Sequence, residues 1–369
     1  MGFTHEVREY LEWYSRYQYE NGKVPCVNVV KAVEYIQYQR AQRMTEQYRT
    51  PELQAYYVLV PESISHEGYS AKPMHSYWDN CFVLRGLKDA AAIARILGEN
   101  AQEAKYVVLV REFRSDVFNS IRLAMKANNI DFIPGCVELG DFDATSTAIG
   151  ISPGGELEYL PREAVERTFE RYYEHFKKRR DSSFSWNAYT PYEIKVCGTF
   201  LHLVKKDRTH EMLNYFLSDQ RPQAWNHWAE VVWRDRDTPA IIGDMPHTWV
   251  GSDYLSVFRS LFAYERERDT ALVIGMGILE AWVDSEGGVK VNELPTPYGK
   301  LSYAMRGKRG GDVVITFEKG ESFYPRKLVI ISPRSRPIRR VVADGKLMRN
   351  DDAGSVTLER IPKEIVLEY

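Results

Sequence analysis

The stretch "HSYWDNCFVLRGLKDA", residues 75–90, opens with aromatic rings around an acid and continues as an amphipathic segment. Its apolar side chains, together with those just beyond it, recur at helical spacing: Cys81, Leu84, Leu87, Ala91 and Ala94. This spacing predicts a helix with one buried face. At the start of that helix, Asp79 can either cap backbone N–H groups or accept hydrogen bonds from a ligand, and Trp78 offers a flat apolar ring.

The same spacing recurs through most of the chain before about residue 290. Further helices are predicted from near residues 7, 101, 161, 191 and 252, with weaker candidates near 30–48, 208–218 and 271–283. Ser252 is predicted to cap its helix. About nine to eleven helices are too many for a four-helix bundle, and no repeat of roughly 34 to 45 residues indicates a solenoid. The predicted fold class is therefore mainly α, a closed ring of helical hairpins.

From about residue 300 the pattern changes to short segments in which apolar and polar residues alternate, as in "DVVITFEKG". The dipeptide Asp344-Gly345 is a hairpin signal, and five or six strands are predicted in a small antiparallel sheet or sandwich. Two prolines and a glycine around residue 297 interrupt the helical pattern. We therefore predict a helical domain over residues 1–295 and a C-terminal β domain over residues 296–369.

The composition is that of a globular protein, with 44% hydrophobic and 27% charged residues. A formal net charge of −2 gives no electrostatic footprint for nucleic acid or for an anionic membrane. The first residues are too polar for a signal peptide, and no apolar run reaches the length of a membrane span. The chain as given is predicted to be cytoplasmic, or secreted or periplasmic if it is a fragment of a longer protein.

Neither a metal nor a nucleotide cofactor is predicted. The four cysteines lie far apart and form no Cys-x-x-Cys pair, which also argues against a disulfide framework. The sequence contains no His-x-x-x-His pattern, no Walker loop and no Gly-x-Gly-x-x-Gly. Nothing in the sequence indicates an oligomeric state.

Aromatic residues make up 13% of the chain, and many stand beside acids, Asn or His in four stretches: "HSYWDN", "FSWNAYTPYE", "QAWNHWAE" and "MPHTW". Large rings can simply fill a large core. However, flat apolar faces beside directed donors and acceptors are what a sugar needs from its pocket. The residues predicted to bind substrate are Trp78, Asp79, Trp186, Glu193, Trp225, Asp244, His247 and Trp249.

Three segments between the helices resemble motifs of one enzyme group. Residues 78–87, "WDNCFVLRGL", are similar to the Trp-Asp-x-x-aromatic-x-x-x-Gly-Leu signature of trehalases. Residues 244–249, "DMPHTW", resemble their Asp-x-Pro-Asn-Gly-Trp signature, with His and Thr in place of Asn and Gly. Residues 140–146, "GDFDATS", partly resemble the Gly-Trp-Asp-Phe-Ser-Ser stretch that holds the family's general acid. The match spans roughly residues 75–265.

The resemblance is to the six-hairpin glycosidases, and the stretch "TPYG" at residues 296–299 is similar to one that precedes a β-sandwich in their rhamnosidase-type members. It implies an (α/α)6 toroid followed by a β domain. It also implies a glycoside hydrolase whose partner is an oligosaccharide or glycoside substrate.

An inverting glycosidase needs one carboxyl group to protonate the leaving oxygen and a second to activate water, roughly 6.5 to 9.5 Å apart. By the resemblance Asp141 aligns with the acid, and Asp143 is the alternative; either can instead cap the short helix that follows. Glu230 is predicted to be the base, because in glucoamylase-like relatives the base precedes the penultimate barrel helix. The other candidates for that role are Glu193, Glu265 and Glu293.

Two alternatives to hydrolysis remain open. A glycoside phosphorylase on the same barrel would replace the base with a phosphate site, and the sequence shows no Gly-rich or Arg-clustered loop for one. A non-catalytic carbohydrate-binding protein would use the same acids only to accept hydrogen bonds from sugar hydroxyls.

Overall fold

The computed structural model describes residues 29–66, 68–235, 237–238, 245–318, 325–350 and 352–369. Its contacts divide the chain into two compact units. The first unit has two segments, one that runs to Gly154 and a second, Tyr159–Thr168. The second unit consists of Gly155–Glu158 and Phe169–Tyr369. The predicted helix near residue 7 lies outside the described residues.

The first unit is built from helices. They are α1 (Val29–Ala41), α2 (Tyr77–Ile96), α3 (Asn100–Asn128), α4 (Ala144–Ile151) and the start of α5 (Arg162–Arg180). The apolar spacing seen in the sequence turns one face of α2 inward, with Leu84 and Leu87 each 1% exposed, and α2 packs against α3 and α4. Phe113 and Val117 of α3 are fully buried, so the contact between helices forms the core of this unit.

The second unit combines helices with sheets. The rest of α5 is followed by α6 (Ile194–His202), α7 (Lys206–Ser218), α8 (Thr248–Phe262) and the single turn α9 (Glu280–Val283). Between them, β1 (Ala188–Tyr189) pairs antiparallel with β2 (Val232–Trp233) as a two-stranded sheet. A 3-10 turn begun by Pro191 leads from β1 into α6, as expected for a proline at a helix start.

Two larger sheets form the C-terminal part of the second unit. In the first, with strand order β10-β9-β12-β7-β6-β5, every pairing is antiparallel; its strands are β5 (Val289–Thr296), β6 (Gly299–Gly307), β7 (Val313–Phe317), β9 (Arg340–Ala343), β10 (Lys346–Met348) and β12 (Glu364–Glu368). The second has the order β11-β8-β4-β3, from β3 (Ala263–Arg266), β4 (Ala271–Ile274), β8 (Lys327–Ile331) and β11 (Ser355–Leu358). Both sheets bury side chains in one shared core, which makes them a sandwich.

The prediction of a mainly α chain with a small C-terminal β part is confirmed, and the arrangement of its helices as an (α/α)6 toroid stays a prediction. The weak helix predicted over 271–283 is wrong, because Ala271–Ile274 is a fully buried strand that pairs with β3 and β8. The pairing of β4 with β8 is parallel, so the second sheet is mixed. The predicted boundary at residue 296 falls at the end of β5, after the sheets have already begun.

Candidate functional site

The N-terminus of α2 places Trp78 and Asp79 in a group of polar side chains in the first unit. Ser76 caps the helix, since its hydroxyl accepts a hydrogen bond from the backbone N–H of Trp78 at 3.1 Å. Asp79 has another role, because its carboxylate accepts hydrogen bonds from the hydroxyls of Ser63 and Ser65, the latter at 3.0 Å. Both oxygens of this half-buried carboxylate are therefore held by the loop that precedes α2.

His66 covers the ring of Trp78. The two rings are stacked, with centroids 4.4 Å apart and planes 23° apart, and Trp78 is only 5% exposed. The imidazole Nε2 lies 3.9 Å from Oδ2 of Asp143, and Nδ1 lies 3.1 Å from the hydroxyl of Ser65. A sugar can stack on Trp78, as predicted, only if His66 moves away.

Asp143 caps α4. Its Oδ1 accepts hydrogen bonds from the backbone N–H groups of Thr145 at 2.9 Å and Ser146 at 3.1 Å, and its Oδ2 accepts one from the Ser146 hydroxyl. These donors are the otherwise unsatisfied groups at a helix start, so the carboxylate stabilises the helix. Of the two acids proposed from the sequence, Asp143 is therefore the one that caps the following helix.

Asp141 lies beside Asp143 but is held by different partners. Its Oδ2 accepts a hydrogen bond from the Tyr69 hydroxyl at 2.9 Å, and its Oδ1 accepts from the backbone N–H of Cys136 at 3.1 Å and from its thiol at 3.2 Å. Burial, with a further contribution from Asp141, raises the pKa of the Cys136 thiol to about 12 and also raises the pKa of Tyr69. Both groups thus remain protonated near neutral pH and can donate to Asp141.

The absence of a side chain at Gly135 allows these groups to approach one another. A Cβ at that position would lie 2.7 Å from the hydroxyl oxygen of Tyr69, and 2.8 Å from both Oδ2 of Asp141 and Cβ of Asp143. The residues joined in this way are called the His66 cluster: His66, Tyr69, Trp78, Asp79, Asp141 and Asp143. The structure thus brings together four residues that the sequence proposed from two distant stretches.

In the second unit, Glu193 forms a buried ion pair. Its two oxygens accept hydrogen bonds from Arg179 at 2.9 and 2.6 Å, and Oε2 also accepts one from the Tyr172 hydroxyl. The side chains of Arg179 and Glu193 are 3% and 13% exposed. Burial lowers the pKa of Arg179, but its interactions with Glu193, Tyr172 and Tyr215 together raise it by more, so the net change is upward. Glu193, proposed as a sugar ligand, an acid or a base, thus pairs with Arg179 and joins α5 to the start of α6.

Glu230 and His247 lie together with two aromatic rings. Nε2 of His247 is 4.0 Å from Oε2 of Glu230 and 3.2 Å from the Tyr192 hydroxyl. The ring of Tyr192 meets that of Trp249 edge to face, with centroids 5.0 Å apart. The Glu230 side chain is 41% exposed and Trp249 is 43% exposed, so both are accessible to a ligand. We call these four residues the Glu230 cluster.

His247 also caps α8, because its Nδ1 accepts the backbone N–H of Val250 at 3.5 Å. With Nδ1 accepting, the proton of the neutral imidazole is on Nε2, which faces Tyr192 and Glu230. The predicted cap at Ser252 is wrong, since that residue lies within the helix, which begins at Thr248.

A buried ion pair supports the Glu230 cluster. Lys195 and Asp253 are in direct contact, with side chains 9% and 16% exposed, and the Lys195 Nζ lies 5.4 Å from the ring centroid of Trp249. Burial lowers the pKa of Lys195 and raises that of Asp253, while the attraction between the two charges opposes both changes. The pair fixes α6 to α8 beneath the exposed ring of Trp249.

The remaining candidates lie in different surroundings. Trp186 borders a hollow of about 480 Å³ beside the β1–β2 pair, and Trp225 is a surface residue, 60% exposed. Asp244 lies outside the described residues. Two of the alternative bases are paired: Glu265 forms two hydrogen bonds with Arg259, and Glu293 lies 3.2 Å from Lys300.

Four ring-bearing residues of these sites were not among the sequence candidates: His66, Tyr69, Tyr192 and Trp233, which borders the same hollow as Trp186. Tyr192 stands in the aromatic stretch "FSWNAYTPYE", and Trp233 comes three positions after Glu230, so both could have been found from the same aromatic signal. His66 stands alone in a polar loop, and only the fold brings it onto Trp78.

The described part of the chain holds no group of three or more His, Cys, Asp and Glu side chains placed to share a metal ion. Within the described ranges, every helix is too short or too polar to cross a membrane. No protein-family model matches the chain, and no curated protein sequence matches it either.

Proposed function

We propose that this chain is a glycoside hydrolase that cleaves a glycosidic bond with inversion, using an aspartic acid as general acid and a glutamate as general base. The observation that carries the proposal is the His66 cluster, in which Asp79, Asp141 and Asp143 lie around a His–Trp stack. Several carboxylates beside aromatic rings suit a ligand with many hydroxyls and a reaction that needs proton transfer.

We assign the acid to Asp141 rather than Asp143. Asp143 has the structural task of capping α4, whereas Asp141 aligns with the general acid of the six-hairpin glycosidases by the resemblance of residues 140–146. In the proposed step, protonated Asp141 gives its proton to the glycosidic oxygen as the bond from the anomeric carbon to that oxygen breaks.

We assign the base to Glu230 because its carboxylate is accessible and lies 4.0 Å from Nε2 of His247, a ring nitrogen that can donate a hydrogen bond. Glu230 accepts a proton from the attacking water, whose oxygen bonds to the anomeric carbon from the face opposite the leaving group. The exposed ring of Trp249 offers a surface on which a sugar can stack.

The proposal is tested by screening aryl glycosides of glucose, rhamnose, fucose, galactose and arabinose with the wild type and matched variants. Asp141→Asn and Glu230→Gln should each lower kcat by about 100-fold or more, with sugar binding retained. Asp143→Asn, which keeps a cap, and Glu265→Gln, whose partner is Arg259, should change kcat by less than about threefold. A fully active Glu230→Gln would remove the assigned base, and no turnover by the wild type on any glycoside would reject hydrolysis of this set.

One observation favours a second candidate, a carbohydrate-binding protein without turnover. Asp79, Asp141 and Asp143 all already accept hydrogen bonds from protein groups, so each also has a structural role. In that case the wild type would bind saccharides measurably and would release no sugar from any glycoside of the set.

A further inference from the structure

A hollow of about 480 Å³ lies beside the two-stranded sheet of the second unit, among residues with no role in the proposed chemistry. It is lined by Ser185, Trp186, Asn187, Trp233, Arg234 and Asp235. Small-molecule sites in proteins range from about 300 to 1,000 Å³. The hollow is therefore large enough for one or two sugar rings.

The sheet fixes the two tryptophans that border this hollow. Trp233 lies opposite Ala188 in the β1–β2 register, and the backbone N–H of Arg234 donates to the carbonyl of Asn187 at 2.7 Å. Trp186 precedes β1 by two residues, and its ring meets that of Tyr189 edge to face at 5.9 Å. Both rings are half-buried, so they are held in place while part of each surface stays accessible.

The rings present carbon surface to a ligand. The indole nitrogens of Trp186 and Trp233 are buried and have no hydrogen-bond partner among the described residues. Because these nitrogens have almost no contact with solvent, a ligand in the hollow meets ring carbons rather than N–H groups. Such surfaces suit the C–H face of a sugar ring.

The polar lining balances donors and acceptors. Arg234, whose guanidinium carbon lies 5.9 Å from the Trp186 ring centroid, brings donors and one positive charge, and the Asp235 carboxylate brings acceptors and one negative charge. Ser185 and Asn187 are neutral and both donate and accept. One charge of each sign favours a ligand that is itself neutral and carries many hydroxyls.

We propose that the hollow is a binding site for a neutral saccharide, lined by residues other than the carboxylates assigned to catalysis. The choice of saccharide as ligand class rests on the proposed function, whereas the site itself rests on the two tryptophans and their polar neighbours. A ring stacked on Trp186 or Trp233 would accept hydrogen bonds from Arg234 and donate to Asp235.

The experiment measures binding by saturation-transfer NMR and calorimetry, with methyl α-glucoside, methyl α-rhamnoside, cellobiose and maltose as neutral probes and glucuronate as the acidic probe. Trp233→Ala and Trp186→Ala should each weaken binding of the best neutral probe by about tenfold or more. Tyr38→Ala, which removes an exposed aromatic ring that does not line the hollow, is the matched control and should leave binding unchanged.

Trp233→Phe guards against a folding defect, because it keeps a ring in the strand and should retain most of the binding. Two results would overturn the inference: Trp186→Ala and Trp233→Ala variants that bind like the wild type, or a wild type that binds glucuronate more tightly than every neutral probe. Saccharide binding that depends on Trp233, without any turnover, would support the binding site in the hollow and reject the proposed hydrolase activity. Turnover without binding that depends on Trp233 would support the hydrolase activity and reject the binding site.

Discussion

The imidazole of His66 lies flat on the indole of Trp78, at 4.4 Å between ring centroids, while its Nε2 lies 3.9 Å from the Asp143 carboxylate. This one residue therefore joins the aromatic start of α2 to the acidic start of α4. It also explains the aromatic and acidic opening of α2: Trp78 packs under His66, and Asp79 is held by Ser65, the neighbour of His66.

We expect His66→Ala to lower the free energy of unfolding by about 1 kcal/mol, because the stacked pair and the contact with Asp143 are both lost. His66→Phe restores a ring without the nitrogen and should recover most of this loss. Urea denaturation of both variants, followed by Trp fluorescence, measures the difference. Equal stability of His66→Ala and wild type would show that the stack contributes nothing.

The cap at Asp143 gives a second prediction. Asp143→Ala removes the acceptor for the N–H groups of Thr145 and Ser146 and should cost about 1 kcal/mol. Asp143→Asn keeps a side-chain oxygen at the cap and should lower the free energy of unfolding by only about 0.3 kcal/mol. Thermal unfolding of the two variants provides the test, and an Asn variant as unstable as the Ala variant would contradict the capping role.

We expect Glu193 to contribute to the stability of the fold rather than to the binding of substrate. Glu193→Gln leaves the buried Arg179 without its charge partner and should destabilise the fold by about 3 kcal/mol. The matched control is Glu166→Gln, whose partner Arg162 is 59% exposed, and it should change stability by less than about 0.5 kcal/mol. A stable Glu193→Gln protein with a raised KM would instead make Glu193 a substrate ligand.

Acid should destabilise the protein partly through His202. Burial lowers the pKa of this imidazole to about 4 from its usual 6.5, where it packs edge to face on Tyr264 at 4.6 Å. A depressed pKa means that the neutral ring is preferred in the fold. The contribution of neutral His202 to the free energy of unfolding is therefore fully present above about pH 6.5 and is lost as the pH falls toward 4.

Because His202 keeps a partly accessible edge, we expect its share of the loss to be about 2 kcal/mol rather than the full shift. The measurement compares denaturant midpoints from pH 7 to pH 4.5 for the wild type and His202→Phe, which cannot titrate. The variant should lose less stability across this range. Parallel pH profiles would exclude His202 as the cause.

Much of the helical architecture follows from local pattern. The stripe from Cys81 to Ala94 predicts α2 and its inner face, and Pro161 marks the start of α5, because these signals depend only on neighbours along the chain. The strand at Ala271–Ile274 was missed because a four-residue apolar run fits a buried helix and a buried strand equally well. Its state is decided by β8, which follows about fifty residues later and which no local pattern reveals.

The candidate site was predictable in composition but not in detail. The carboxylates and rings were found from the sequence, yet the division of labour between Asp141 and Asp143 depends on which one meets the N–H groups of α4. Likewise, His66 covers Trp78 through a loop contact that leaves no periodic signal. Sequence patterns thus identify the chemical groups, and tertiary contacts determine which of them are accessible.

The most direct measurement follows hydrolysis of a glycoside of fixed anomeric configuration by proton NMR, before the released sugar mutarotates. An inverting wild-type enzyme should release a sugar whose first-formed anomer has the opposite configuration to the substrate, and this release should be lost in Asp141→Asn and in Glu230→Gln. A first-formed anomer of the same configuration, or undiminished release by both variants, would contradict this prediction.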